Sequence, residues 1–134
     1  MNRQYYTVED ANRLLPQIRK QIEELKNSRE EIAIRRLKIE RWKREQGEAT
    51  SADRFFVEEA QIEFALLAAR QQIDHLLSQS IEVKDIDAGL VDFLTLIDGR
   101  EAYLCWRAGE PDIRYWHGVD EGFAGRRRFT EKSS

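Results

Sequence analysis

The feature that most constrains the fold is a repeat of apolar residues at heptad spacing on both sides of one breaker, Gly47–Ser51. Before the breaker the repeat comprises Leu15, Ile18, Ile22, Leu25, Ile32 and Ile39, with Arg29 and Arg36 interrupting it. After the breaker it comprises Phe55, Ile62, Leu66, Ala69, Ile73 and Leu76. Facing residues of an antiparallel helix pair have position numbers with a constant sum. Positions 22 and 76, 25 and 73, 29 and 69, 32 and 66, 36 and 62, and 39 and 59 each sum to 98, which centres the turn on residue 49. The repeat therefore predicts a long, coiled-coil-like antiparallel helical hairpin over residues 7–80.

Local signals refine the two helices. Thr7 is expected to cap the first helix, because its hydroxyl can accept a hydrogen bond from the backbone N–H of Asp10. Pro16 has no N–H and clashes with the preceding turn, so a short helix over about Val8–Leu14 and a kink or restart at Pro16 are predicted. Ser51 or Asp53 can cap the second helix. A partly buried ion pair between Arg36 and Glu59 is expected to help fix the register.

A second apolar stripe follows the second helix and has no place in the hairpin seam. It comprises Phe56, Ala60, Phe64 and Leu67, to which the first helix adds Ile34 and Leu37. A two-helix hairpin cannot bury two stripes. We therefore predict that a second copy covers this stripe in a four-helix homodimer. In the alternative, the C-terminal part folds back onto one stripe and the protein is a monomer.

The basic run at residues 35–44 raises the alternative of nucleic-acid binding, since a basic helix with a tryptophan can contact phosphates. The hairpin places acidic residues beside this run, namely Glu45, Glu48, Asp53, Glu58, Glu59 and Glu63. The formal net charge of the whole chain is −3. A solvated face of ion pairs is therefore favoured over binding to nucleic acid.

The last third of the chain predicts a small antiparallel sheet. Asp98-Gly99 is a two-residue hairpin signal between two apolar runs. That turn places Val91, Phe93, Leu104 and Trp106 on one face, which is expected to be core. It places Leu90, Asp92, Tyr103, Cys105 and Arg107 on the other face. With a third strand over Ile113–His117, residues 81–134 form a three-stranded meander with an irregular tail, and residues 1–134 form one α+β domain.

The position of His117 depends on the register of that third strand. In one register His117 and Tyr115 join Cys105 and Asp92 on the same face. In the other, Arg114 and Trp116 lie beside Cys105 instead. Only the first register permits a contact between the cysteine and the histidine.

The polar face suggests a binding site without identifying a reaction. The candidate ligand-binding residues are Asp92, Cys105, Arg107, Glu110, Tyr115, His117 and Arg126. We favour a non-enzymatic protein that binds a small anion or a partner, and plain packing of these side chains competes with that interpretation. The alternative is a small enzyme with a Cys105–His117 nucleophile, or a metal held by these residues and a carboxylate. No residue is assigned as catalytic, and no metal or cofactor is expected, because no CxxC, HxxxH or HExxH spacing occurs.

The chain lacks the features of a secreted or membrane-bound protein. It has a single cysteine, which fits a reducing compartment. Its first residues form no apolar signal segment, and no long uncharged apolar run follows. A cytoplasmic protein without a membrane anchor is expected.

Several short motifs resemble one known family. They are Val83-Lys84-Asp85, Gly89–Phe93, Leu104–Arg107, Gly109-Glu110, Tyr115-Trp116-His117 and Gly122–Arg126. The opening Tyr6–Asn12, followed by Leu14-Leu15-Pro16, resembles the same family, which is catalogued as domain of unknown function 2203. The resemblance implies a small prokaryotic cytoplasmic protein, and it brings no established activity.

Overall fold

The computed structural model describes residues 3–46 and 52–129 and has an α+β fold. Its helices are α1 (Val8–Gln46) and α2 (Ala52–Ser78). Its strands are β1 (Ile81–Asp85), β2 (Leu90–Ile97), β3 (Arg100–Arg107), β4 (Tyr115–Gly118) and β5 (Arg127–Arg128), with a 3-10 turn at Phe123–Gly125. All neighbouring strands are antiparallel, in the order β1-β2-β3-β4-β5.

The prediction of a three-stranded meander is therefore wrong in strand number. The meander itself is present as β2, β3 and β4, and the Asp98-Gly99 turn gives the predicted register, with Phe93 opposite Leu104. An extra strand extends the sheet at each edge. β1 pairs with β2, and the two-residue β5 pairs with β4. β5 contains only arginines and so carries no apolar alternation from which a strand could be predicted.

The described residues divide into two compact units. The first contains the described parts of Met1–Ile22 and Ile73–Ser134, and the second is drawn from Glu23–Gln72. The core of the first unit includes the predicted sheet face. Its buried residues include Ala11, Leu15, Ile18, Ile22, Leu76, Ile81, Val91, Phe93, Leu104 and Trp106. The N-terminal segment is attached to the sheet, since the Tyr6 N–H donates to the Leu94 carbonyl at 2.8 Å.

α1 continues through Pro16, so the short helix over about Val8–Leu14 and the restart at Pro16 are wrong, and a kink at Pro16 stays a prediction. The helix begins as expected, with the Asp10 N–H donating to the Thr7 hydroxyl at 3.0 Å. Leu15 and Ile18 on either side of the proline are almost fully buried. Burial of this apolar face outweighs the hydrogen bond that the proline removes, as tertiary packing commonly does against local propensity.

The second unit is an antiparallel helix pair with a small core of its own. Ile32, Ile39 and Ile62 are buried together, with Phe55 and Ala65 packed against them. Leu66 is 44% exposed, so its predicted place in the seam is wrong, and Ala65 packs there instead. The breaker Gly47–Ser51, with Glu48 and the cap at Ser51, lies outside the described residues, as does the side chain of Asp53.

The ion pair between the helices joins residues other than those predicted. Arg35 contacts Glu58 of α2 at 2.8 Å and Glu31 of its own helix at 2.9 Å. Arg36 is exposed, so the expected Arg36–Glu59 contact is replaced by one made one residue earlier on each helix. Acidic residues thus pair with at least part of the basic run at 35–44, which also includes Arg41 beside Glu45 at 3.2 Å.

Candidate functional site

Three neighbouring strands bring Asp92, Cys105 and His117 together. Asp92 of β2 lies opposite Cys105 of β3, and His117 of β4 lies opposite Tyr103. This is the first of the two predicted registers, with His117 on the face that carries Cys105. The three side chains offer a carboxylate oxygen, a sulfur and a ring nitrogen within 4.8 Å of one another. The residues are 1%, 0% and 2% exposed, so the cluster is closed to solvent.

The hydrogen bonds of His117 fix where its protons lie. Nδ1 is 2.9 Å from the Gly118 carbonyl oxygen, which can only accept, so Nδ1 carries a proton and donates it. Nε2 is 3.0 Å from Asp92 Oδ2, and this contact also needs a proton between its two atoms. Burial raises the pKa of the Asp92 carboxyl, and the neighbouring His117 opposes that rise. The pair therefore holds one shared proton and is neutral as a whole.

The environment of Cys105 disfavours nucleophilic chemistry. Burial is the main cause that raises the pKa of its thiol to about 12, and the Asp92 carboxylate adds to the rise. A thiol with this pKa is protonated at neutral pH, and the residue is fully buried. His117 does not serve it as a base, because Nε2 faces Asp92.

The remaining predicted site residues form a group beside this cluster. Arg126 makes two contacts with the Glu110 carboxylate, at 3.0 and 2.9 Å, and its guanidinium lies 3.9 Å from the centre of the Tyr115 ring. Glu110 also accepts the Arg107 backbone N–H at 2.7 Å. Electrostatic contact between Arg126 and Cys105 links this group to the buried cluster. All seven candidate residues thus lie in one connected region.

Sequence reasoning missed Phe123 in this region. The guanidinium of Arg126 lies 4.2 Å from the centre of the Phe123 ring, and that of Arg107 lies 5.5 Å from it. Phe123 stands in a glycine-punctuated segment three residues before Arg126, and that adjacency is the one available signal. The 3-10 turn that begins at Phe123 places the ring against both arginines.

Three of the arginines near the site, Arg114, Arg126 and Arg127, already have acidic partners. Glu110 compensates Arg126, Asp112 contacts Arg114 at 2.6 Å, and Glu121 contacts Arg127 at 3.0 Å. Arg126 and Glu110 are also largely buried. An anion that binds at Arg126 must therefore displace a carboxylate from a bidentate contact.

A cleft of about 500 Å³ opens on the same side of the sheet as the cluster. It is lined by Arg3, Leu77, Ser78, Ser80, Glu82, Leu94 and Tyr103. Tyr103 lines this cleft, and its ring centre lies 5.6 Å from that of the buried His117. The sequence placed the Tyr103 phenol on this face, although Tyr103 was not among the candidate residues.

The fold and the site define an α+β protein with a long two-helix segment, a five-stranded antiparallel sheet and a buried Asp–Cys–His cluster. The chain belongs to the family described as Uncharacterized conserved protein (DUF2203), which matches residues 4–129. Neither the curated proteins nor the solved structures contain a match. Across residues 3–46 and 52–129, no helix has the length and apolar character needed to cross a bilayer.

Proposed function

We propose that this protein is a non-enzymatic cytoplasmic interaction protein that self-associates through the outer face of α2. The observation that carries the proposal is an exposed apolar surface, here called the α2 stripe. Its residues Phe56, Val57, Phe64 and Leu67 are 73%, 56%, 75% and 56% exposed. Large apolar side chains concentrated on one helix face commonly mark an interaction surface.

Helix geometry places the α2 stripe away from α1. Ile62 is buried in the small core with Ile32, and Phe64 lies two residues, or about 200°, further around the helix. On α1, Ile34 stands in the same relation to Ile32, and it is also exposed. The two helices therefore carry apolar residues on opposite outer faces of the second unit, and the α2 stripe is the larger. In the monomeric alternative, the C-terminal part of the same chain covers it.

A second copy is the occupant that fits the α2 stripe best. At about 150–250 Å² for a fully exposed aromatic side chain, its four residues offer on the order of 400–500 Å² of apolar surface per copy. Two copies supply roughly 800–1,000 Å², most of a standard interface of about 1,200–2,000 Å². Burial of that much apolar surface favours association, which must offset a cost of about 4–15 kcal/mol for lost freedom of motion. The stripe has no charged member, so two copies related by a two-fold axis can pack it against itself.

The buried cluster supports the non-enzymatic part of the proposal. A fully buried thiol of raised pKa is a poor nucleophile. Binding of a small anion at Arg107 and Arg126 is a secondary proposal, which requires Glu110 to release Arg126. The ion pairs of Arg35 and Arg41 favour the solvated face over nucleic-acid binding. Coiled-coil packing between the helices stays a prediction.

Substitution of the α2 stripe tests self-association. Phe64→Asp places a charge at its centre and is expected to convert a dimer to a monomer in sedimentation velocity. Leu96→Asp is the matched control, because it also replaces an exposed apolar residue, but in β2 and outside both apolar stripes of the helices. The control is expected to leave the dimer intact. Equal dissociation by both variants, or no dissociation by Phe64→Asp, would contradict assembly through α2.

A further inference from the structure

The proposed self-association gives no role to the side chains of the Asp92–Cys105–His117 cluster. It lies in the first unit, on strands β2, β3 and β4, whereas the α2 stripe lies in the second unit. Its three potential donor atoms lie within 4.8 Å of one another. Ligands about 2.0–2.3 Å from a tetrahedral metal ion stand roughly 3.3–3.8 Å apart. Small adjustments of these three side chains therefore bring their atoms to the spacing that one ion needs.

A separate observation indicates that a ligand completes this cluster. Asp92 Oδ1 is buried and makes no hydrogen bond of ordinary geometry among the described residues, although the Cys105 thiol interacts with this carboxylate. A buried acceptor without a partner is unfavourable in the folded protein, and a bound cation would satisfy it. Asp92 itself is 1% exposed, so water outside the protein does not reach this oxygen readily.

The imidazole is oriented as a metal ligand requires. Nδ1 donates to the Gly118 carbonyl, and this bond turns Nε2 toward Asp92 in the cluster. Metal-bound histidines typically donate their second ring N–H to a carbonyl or carboxylate in this way, which fixes the tautomer and the ring plane. Gly118 is the residue next to His117 in β4, so the strand supplies this support itself.

We propose that Asp92, Cys105 and His117 together bind one divalent transition-metal ion of the zinc type. A sulfur and a nitrogen among three ligands favour zinc-like ions over magnesium or calcium, which prefer oxygen. Three protein ligands leave a fourth position of the tetrahedron for a water or another small donor.

Charge balance supports the same assignment. Binding releases two protons to solvent, one from the Cys105 thiol and one from the Asp92–His117 contact. The ion then faces a thiolate, a carboxylate and a neutral imidazole, so the metal centre has no net charge. The nearby Arg126 is already balanced by Glu110 at 2.9 Å. A neutral centre carries a much smaller desolvation cost in a buried site than an uncompensated charge.

Sequence reasoning found no metal motif because the ligands come from three strands. Asp92 and Cys105 meet across a strand pair, and His117 joins them from the next strand. Short motifs such as CxxC describe ligands held by one turn, and they do not describe a site built across a sheet. Metal binding here is independent of the proposed self-association, because it uses other residues in the other unit.

Cobalt binding to the whole chain tests the proposal. Chelator-treated protein is titrated with Co²⁺ and, in a competition assay, with Zn²⁺. We expect one equivalent of each ion, with the intense visible bands of tetrahedral Co²⁺ and a thiolate-to-cobalt charge-transfer band in the near ultraviolet. Cys105 is the single cysteine of the chain, so a thiolate band in the unmodified protein identifies the ligand without any variant.

Variants then assign the other ligands. Cys105→Ala is expected to abolish the charge-transfer band. His117→Gln is expected to weaken Zn²⁺ binding by at least the roughly 10–100-fold that loss of an outer-shell partner causes. His75→Gln is the matched control, because it removes the only other histidine and is expected to keep one equivalent. The proposal is overturned if the unmodified protein takes up no stoichiometric ion, if bound Co²⁺ lacks the thiolate band, or if Cys105→Ala binds as tightly. Sedimentation of the same samples reports self-association separately.

Discussion

The contributions of Asp92 and His117 to stability depend on each other, because both side chains are buried and one proton lies between them. In the metal-free protein, the Nδ1–H of His117 is committed to Gly118, so Nε2 must receive a proton from its partner or carry one toward it. Removal of Asp92 leaves that nitrogen buried and unpaired. Loss of one member of a buried polar pair costs more than the pair itself contributes.

Two substitutions of Asp92 distinguish this arrangement from simple packing. Asp92→Ala is expected to lower the free energy of unfolding by about 2–4 kcal/mol. Asp92→Asn is expected to cost about 1 kcal/mol, because its amide N–H can donate to Nε2 of the neutral ring. Urea unfolding of chelator-treated protein measures both, and the exposed Asp120→Asn serves as the control for the same chemical change. Equal losses for the alanine and asparagine variants would contradict the shared proton.

Predictability of the site from sequence differs from residue to residue. The Asp98-Gly99 turn fixed the register of β2 and β3, so the meeting of Asp92 and Cys105 was predictable. His117 was not, because a shift of one residue in the pairing of β4 would turn its side chain to the other face. The Arg126–Glu110 pair joins side chains sixteen positions apart through an irregular segment, and no periodicity describes such a contact.

Among the elements, the turn between β1 and β2 is constrained by more than backbone conformation. Gly89 has a φ of +67°, and a Cβ there would lie 2.4 Å from Ala108 Cβ. The Gly89 carbonyl also accepts the Ala108 N–H at 2.9 Å, which holds the two backbones close together. Gly99 has a similar φ of +78°, but a Cβ added there would meet no described atom within 4 Å. A substitution at Gly99 therefore introduces backbone strain alone, whereas a substitution at Gly89 introduces both backbone strain and a steric clash.

Alanine at each glycine tests this distinction. Gly99→Ala is expected to lower the free energy of unfolding by about 1 kcal/mol, the cost of a left-handed conformation for a residue with a Cβ. Gly89→Ala has the same conformational cost. In addition, the new Cβ clashes with Ala108, and overpacking of this kind costs about 1–3 kcal/mol more. Chemical denaturation of the two variants side by side measures the difference. If Gly89→Ala is no more destabilised than Gly99→Ala, the close approach of Gly89 and Ala108 is not rigid.

The helices show where local sequence signals give way to packing. The buried heptad positions of α1 were predictable, since Leu15, Ile18, Ile22, Leu25, Ile32 and Ile39 are all buried. The continuity of α1 through Pro16 was not, because the benefit of burying its neighbours depends on the rest of the first unit. Ala65 packs against the core in place of the expected Leu66 for a related reason. Heptad arithmetic assumes one register along the whole pair, whereas the second unit packs Ala65 rather than Leu66 against its core.

At the scale of the whole molecule, the proposed self-association requires that the α2 stripe is covered in solution. The fold buries the predicted core face of the sheet and also the polar cluster on its opposite face, yet leaves Phe56 and Phe64 about three-quarters exposed. Because the stripe is uncharged, its association is expected to change little with ionic strength. Association through the charged runs of the helices would instead weaken as salt rises.

Sedimentation equilibrium of the unmodified protein over a range of concentrations, at low and high salt, tests this claim most directly. Self-association through the α2 stripe predicts a mass of twice the 15.8 kDa of one chain at both salt concentrations. A mass of 15.8 kDa at every concentration would contradict it, and so would a dimer that dissociates when only the salt concentration is raised.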